Sequence, residues 1–188
     1  NIFIGDDKSE NIGGIRIVNT GHWVVNNYFY NLKGNNFRAP LAIMNGIPKS
    51  PLNRYNQVTD VVVAYNTWVN CKSPWHFGVG ANLEQADVLP PAEIRSARAE
   101  RTVVANNIVY NDEKTSAPIV TYDKIDGVNF ESNLINYNDW DGEKHNAFNY
   151  CDFSAKKISD YLFVPLIQNC ETEPYNGFDF ETISDDLF

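Results

Sequence analysis

One recurring element constrains this chain more than any other. An Asn followed by one variable residue and then a large apolar one appears as "NIF" at Asn1, "VVNNYFYNL" around Asn27, "VVVAYNTWVNC" around Asn66, "TVVANNIVYND" around Asn107 and "GVNFESNLINYN" around Asn133. The steps between these residues are 26, 39, 41 and 26. Two equal steps and two lengthened by 13 and 15 describe one unit length carrying two insertions. A second kind of short strand lies between the units: "GGIRIVN" (13–19), "APLAIMN" (39–45), "PWHFGVG" (74–80) and "APIVTYD" (117–123). Each unit therefore carries at least two strands rich in Val, Ile, Phe and Tyr, with Gly, Asn or Asp at the corners.

Repeats of this length with short strands predict an all-β, right-handed parallel β-helix of about five coils. At a corner an Asn amide can bond the turn backbone and the Asn one coil away, and Asn tolerates left-handed backbone. With strands ~4.8 Å apart, five coils make a column only ~25 Å tall. The sequence opens inside a coil with no cap visible, which predicts a piece of a longer protein. Residues 1–138 read as coils, and residues 139–188 as an irregular continuation or capping tail of the same domain. No segment sustains a helical period, and the best helical candidate is the insertion "PPAEIRSARAER" (90–101).

The net charge of −9 argues against nucleic acid as a partner, and no apolar run is long enough for a membrane span. Its distribution says more. Residues 11–59 hold Arg16, Lys33, Arg38, Lys49 and Arg54 with no acid, a local +5 in an acidic chain. The three cysteines, Cys71, Cys151 and Cys170, fit no zinc spacing. They read as buried or free thiols, with one disulfide and a spare as the open alternative.

Strand alternation sends Ile15 and Ile17 inward and Arg16 outward, and the step of 26 puts Ala42 beside Arg16. Arg38 precedes that second strand, Asn45 follows it, and His76 lies on the comparable strand of the next coil. The loop "MNGIPKSPLNRYNQV" (44–58) adds Lys49, Arg54 and Tyr55, stiffened by Pro48 and Pro51. A surface of Arg with His, Asn and Tyr suits an acidic sugar polymer, because Arg grips a carboxylate with two parallel hydrogen bonds. His22 reads as a turn residue and His145 as solvated. No nucleotide-binding loop, hydrolase nucleophile motif or EF-type calcium loop is present.

The run from "GGIR" through "NNYF", "FRAPL", "MNGIPKSPLNRY" and "NTWVNC" resembles polysaccharide lyase family 6, the β-helical alginate lyases and chondroitinase B. The resemblance covers residues 1–112 best. It implies cleavage of a uronate polysaccharide by β-elimination, most closely alginate, with dermatan sulfate as the other family substrate. It also implies a Ca²⁺ held by Asn and Glu, a Lys base and an Arg in an "RHG" segment. All of these lie upstream of the segment matching "NIFIGD", and no "RHG" occurs here, so no catalytic residue or metal ligand carries over. What carries over is a substrate-positioning surface: Arg16, Arg38, Asn45, Arg54 and Tyr55, with His76 matching loosely. The resemblance implies a secreted or periplasmic enzyme. The alternative from the residues alone is a non-catalytic β-helix that binds acidic polysaccharide or serves as an adhesin-like scaffold.

Overall fold

The computed structural model of the chain describes residues 1–111, 118–136, 148–157, 159 and 163–171. Strands follow one another around a column. The first coil holds β1 (Ile2–Ile4), β2 (Ile15–Ile17) and β3 (Trp23–Val25). The second holds β4 (Tyr28–Tyr30), β5 (Leu41–Met44) and β6 (Thr59–Ala64), and the third β7 (Thr67–Val69), β8 (Trp75–Val79) and β9 (Glu100–Ala105). The fourth holds β10 (Ile108–Tyr110), β11 (Ile119–Thr121) and β12 (Val128–Glu131), and β13 (Asn133–Asn136) begins a fifth. Each strand pairs in parallel with its counterpart one coil on, giving the sheets β1-β4-β7-β10-β13, β2-β5-β8-β11 and β3-β6-β9-β12. This is a parallel β-helix with three strands per full coil, one more than the two that sequence alone resolves.

The corner asparagines form the expected ladder. Asn1 Nδ2 donates to Asn27 Oδ1 at 2.9 Å, Asn27 to Asn66 at 2.9 Å, Asn66 to Asn107 at 3.0 Å and Asn107 to Asn133 at 2.8 Å. Asn27, Asn66 and Asn107 each sit between the third strand of one coil and the first of the next, and Asn133 opens β13. The left-handed backbone falls one residue earlier, on Asn26, Tyr65, Asn106 and Ser132, with φ from 50° to 56°. The ladder residue is thereby freed to aim its amide inward, where backbone donors and acceptors at a buried corner require partners.

Inside the column, parallel register stacks like on like. Phe3, Phe29 and Trp68 are register partners whose ring centroids are 4.8 Å apart at each step, tilted by only 8° and 3°. That spacing is the strand separation itself. Trp75 meets Trp68 edge-on at 5.4 Å, and both are fully buried. Stacked aromatics of this kind add about 1 kcal/mol per pair beyond the area they bury.

Two strands, β14 (Phe148–Lys157) and β15 (Phe163–Glu171), extend the first sheet. β14 is parallel to β13, whereas β15 runs antiparallel to β14, so the stack changes direction there. The helical candidate 90–101 contains only a single 3₁₀ turn, Pro91–Glu93, and its last two residues already belong to β9. Among the described residues, no helix is long and apolar enough to cross a membrane.

Candidate functional site: a wall built from two insertions

The extra residues of the second and third coils leave the column at the same corner. In the second coil they run from 45 to 58, between β5 and β6; in the third they run from 80 to 99, between β8 and β9. Stacked coils bring them together, and they clasp as an antiparallel bridge. Gly46 N–H donates to the Ala97 carbonyl at 2.8 Å and Ala97 N–H returns to Gly46 at 3.0 Å. Gln57 Nε2 donates to the Arg98 carbonyl at 2.8 Å. A Cβ on Gly46 would meet the Gln57 backbone at 2.6 Å, so only glycine lets the two strands of the loop approach this closely.

This clasp places Arg95 against the first loop. Its guanidinium lies 4.0 Å from the Tyr55 ring centroid and 6.0 Å from that of Phe37. Phe37 belongs to a 3₁₀ turn, Asn36–Arg38, that folds over the outer face of the β5–β8 sheet. Arg16 reaches the same ring, 5.7 Å from its centroid. One aromatic side chain, exposed over 39% of its surface, therefore has a guanidinium within cation–π reach from each of two coils.

Behind this surface lies a polar clamp. Asp123 accepts from Asn45 Nδ2 at 2.8 Å, from Arg98 Nε at 2.8 Å and from the Lys124 N–H at 2.7 Å. Burial opposes ionisation of Asp123, but these bonds win and hold its carboxyl below the ordinary range. The exposed Asp60 is likewise gripped by Arg101, whose Nε and Nη2 donate at 2.6 and 2.8 Å, and its carboxyl is held far below the usual value. By contrast, among the described residues Arg16, Arg38, Arg54 and Arg95 form no ion pair.

The sequence-derived candidates divide accordingly. Arg16, Ala42, His76 and Val120 are register partners in successive strands, as the step of 26 requires for the first pair. Arg16, Arg38 and Arg54 are exposed, and Tyr55 is half-buried beneath Arg95. Asn45 and His76 are buried, at 1% and 2% exposure, and serve the protein's own framework. His76 does face outward from the sheet, but the turn at Asn36 and the Tyr122 ring cover it. Its Nδ1 accepts from the Asn36 N–H at 3.3 Å and lies 3.2 Å from the Tyr122 hydroxyl. Burial pulls its pKa down to about 4, with the Ser73 backbone offsetting part of the effect. His22 is exposed, its Nε2 2.7 Å from the Val18 carbonyl oxygen, and His145 lies outside the described residues.

Phe37, Arg95, Arg98 and Asp123 were not singled out from sequence. The usable signal was the pair of lengthened steps: both excesses follow the second strand of their coil, so the two loops had to be neighbours. A groove of about 320 Å³ at the β1–β3 end touches Arg16 and Trp23, but Ile15, Ile17 and Val24 line it too. It is the interior of the first coil seen end-on rather than part of the wall.

Among the described residues, no three His, Cys, Asp or Glu side chains converge as a metal site. Asp60 and Asp123 are committed to arginines, and the second insertion carries three further acids, Glu84, Asp87 and Glu93.

The column defines the class, a parallel β-helix with a cationic, aromatic wall beside one sheet. Comparison with known families goes further: residues 1–181 match the chondroitinase B family, and the chain belongs to it. Among solved structures it is similar to the PL6 family alginate lyase AlyGC, at 30% identity and a TM-score of 0.68. A mutant of that enzyme gives 31% identity and the same TM-score. Each match covers 82% of this chain and 19% of the other, so the chain spans about a fifth of the length of that lyase. No curated protein matches the chain.

Proposed function

We propose that this chain forms part of the substrate cleft of a lyase that opens a uronate polysaccharide, alginate before dermatan sulfate, by β-elimination. The catalytic base and the metal come from residues outside these 188. The carrying observation is the wall: Arg95 stacked on Tyr55 across two clasped insertions, with Arg16 and Phe37 beside it.

Free guanidiniums match a polymer that bears one carboxylate per sugar, since each can bind a carboxylate with two parallel N–H···O bonds. Elimination begins with loss of the C5 proton, which pushes negative charge onto the adjacent carboxylate. The 4-linked oxygen then leaves and a 4,5-unsaturated sugar remains. Arginines that hold neighbouring uronates in register orient the reacting sugar and prepay the entropy of positioning it. Arg16, Arg38, Arg54 and Arg95 have this role, with Tyr55 and Phe37 giving a face for sugar C–H groups. Asn45 acts behind the wall, through Asp123. A polymer of this kind lies outside the cell, so the reading includes a secreted or periplasmic setting.

The geometry does not favour a self-contained Tyr/His lyase. Among the described residues no hydrogen bond joins Tyr55 to His76 or His22. Tyr122 and His76, which do lie within hydrogen-bond distance, have a phenol whose pKa is raised by burial and an imidazole already accepting a backbone N–H.

The test is incubation of the 188-residue chain with alginate, with and without calcium, while following the ultraviolet absorbance of the unsaturated product. We expect retarded migration in an alginate-containing gel and no product. Calcium-dependent product from this chain alone would refute the reading, and failure to bind any uronate polymer would refute the cleft assignment.

A further inference from the structure

Cys151 and Cys170 occupy directly opposed positions in the antiparallel pair β14–β15. Opposed residues in an antiparallel ladder have Cα atoms ~4.5–5.5 Å apart. That lies inside the window of about 4.4–6.8 Å over which a disulfide closes without moving backbone. The pair sits where the first sheet departs from parallel stacking, since β15 reverses direction against β14. The chain has only three cysteines, and the third is unavailable to either. Cys71 is fully buried in the core between coils, its Sγ 3.6 Å from the Val69 carbonyl.

We propose that Cys151 and Cys170 form a cross-strand disulfide that staples β15 to the end of the first sheet. The bond forms by thiol–disulfide exchange. One thiolate attacks a sulfur of a small-molecule or protein disulfide, releasing one thiol of the donor. The second cysteine thiolate then displaces the other donor sulfur from the mixed disulfide. The two cysteines lose two protons and two electrons, and the donor disulfide leaves as two thiols. This inference does not depend on the substrate reading, but it fits a protein that works in an oxidising compartment.

The sequence makes the test direct. Trypsin cuts after Lys144, Lys156 and Lys157, which puts Cys151 in peptide 145–156 and Cys170 in peptide 158–188, while Cys71 falls in 55–72. The folded 188-residue chain is equilibrated with oxidised and reduced glutathione, denatured with iodoacetamide present, digested and analysed by mass spectrometry without reduction. The expected result is peptide 145–156 joined to 158–188, lighter than the sum by two hydrogens, with Cys71 alkylated. Titratable thiols in denaturant then fall from three to one. Alkylation of both Cys151 and Cys170, or a link from either to Cys71, would overturn the proposal. The Cys151→Ser variant should lose the joined peptide and leave Cys170 alkylated or bound to glutathione.

Discussion

The Arg95 guanidinium lies 4.0 Å from the Tyr55 ring centroid, and the two residues come from insertions in successive coils. Neither insertion alone makes a surface. Arg95 is 40 residues from Tyr55 in the chain, yet the lateral stacking of coils makes them neighbours. The β-helix thus turns loop excess at one corner into a continuous wall, and the energetics of that wall can be tested residue by residue.

Arg95→Ala should lower affinity for an oligouronate about tenfold, a loss of about 1.4 kcal/mol. Arg95→Lys should fall between, because an ammonium keeps the charge but not the planar fork or the stacking. Tyr55→Phe should bind within about twofold of the parent, since Arg95 uses the ring face and not the hydroxyl. Isothermal titration at two salt concentrations measures all three. Parent-like binding by the alanine variant would show that the wall does not face the polymer.

Arg16 provides an internal comparison with Lys8. Both are basic and exposed in the first coil, but only Arg16 lies on the outward face of β2 within reach of Phe37. Arg16→Ala should therefore weaken oligouronate binding several-fold and Lys8→Ala should not change it beyond about twofold. Affinity electrophoresis of the two variants on one alginate gel decides the matter, and equal retardation would contradict the face assignment.

Much of the column was legible because a side-chain ladder demands the same residue at each step: the intervals of 26, 39, 41 and 26 are the very pairs that hydrogen-bond. The third strand was hidden because Trp23–Val25, Thr59–Ala64 and Glu100–Ala105 run directly into the corner Asn, so two strands read as one. The second insertion was obscured by its helix-forming composition. A helix there would consume its own backbone groups, but the Ala97 N–H and carbonyl go to Gly46 and the Arg98 carbonyl goes to Gln57. Tertiary pairing overrides propensity. His76 was placed on the right face, and nothing in "GNNFRAP" announced that residues 36–38 would cover it.

Asn66 should be the costliest rung of the ladder to remove. Its Oδ1 accepts from both the backbone N–H and Nδ2 of Asn27, each at 2.9 Å. Its Nδ2 donates to Asn107 Oδ1 at 3.0 Å, Val24 O at 2.8 Å and Ala64 O at 3.0 Å, and Asn66 and these three partners are all buried. Asn66→Ala strands several buried partners at once, and with about 1–3 kcal/mol for each unsatisfied group the loss should reach about 3 kcal/mol or more. Asn1→Ala removes a single donor from an exposed end residue and should cost under about 1 kcal/mol. Urea unfolding of the two variants tests the ranking, and similar midpoints would mean that the ladder is ornamental.

His76 should give the chain a stability that depends on pH in a defined window. Its ring must stay neutral for Nδ1 to accept the Asn36 N–H, and burial lowers its pKa from 6.5 to about 4. Above pH 6.5 the ring is neutral folded or unfolded, so it adds no pH dependence. As pH falls from 6.5 to 4, the unfolded chain takes up a proton that the folded chain refuses, and stability drops. Below 4 both states are protonated and the loss levels off, at about 3 kcal/mol in total. His76→Phe removes the titration while filling the space beneath Tyr122. The parent should therefore lose about 2–3 kcal/mol more than this variant between pH 7.5 and 4.5, because the carboxylates titrate alike in both. Urea midpoints at the two pH values measure the difference. Parallel losses in the two proteins would mean that His76 is not the buried neutral base that this geometry makes it.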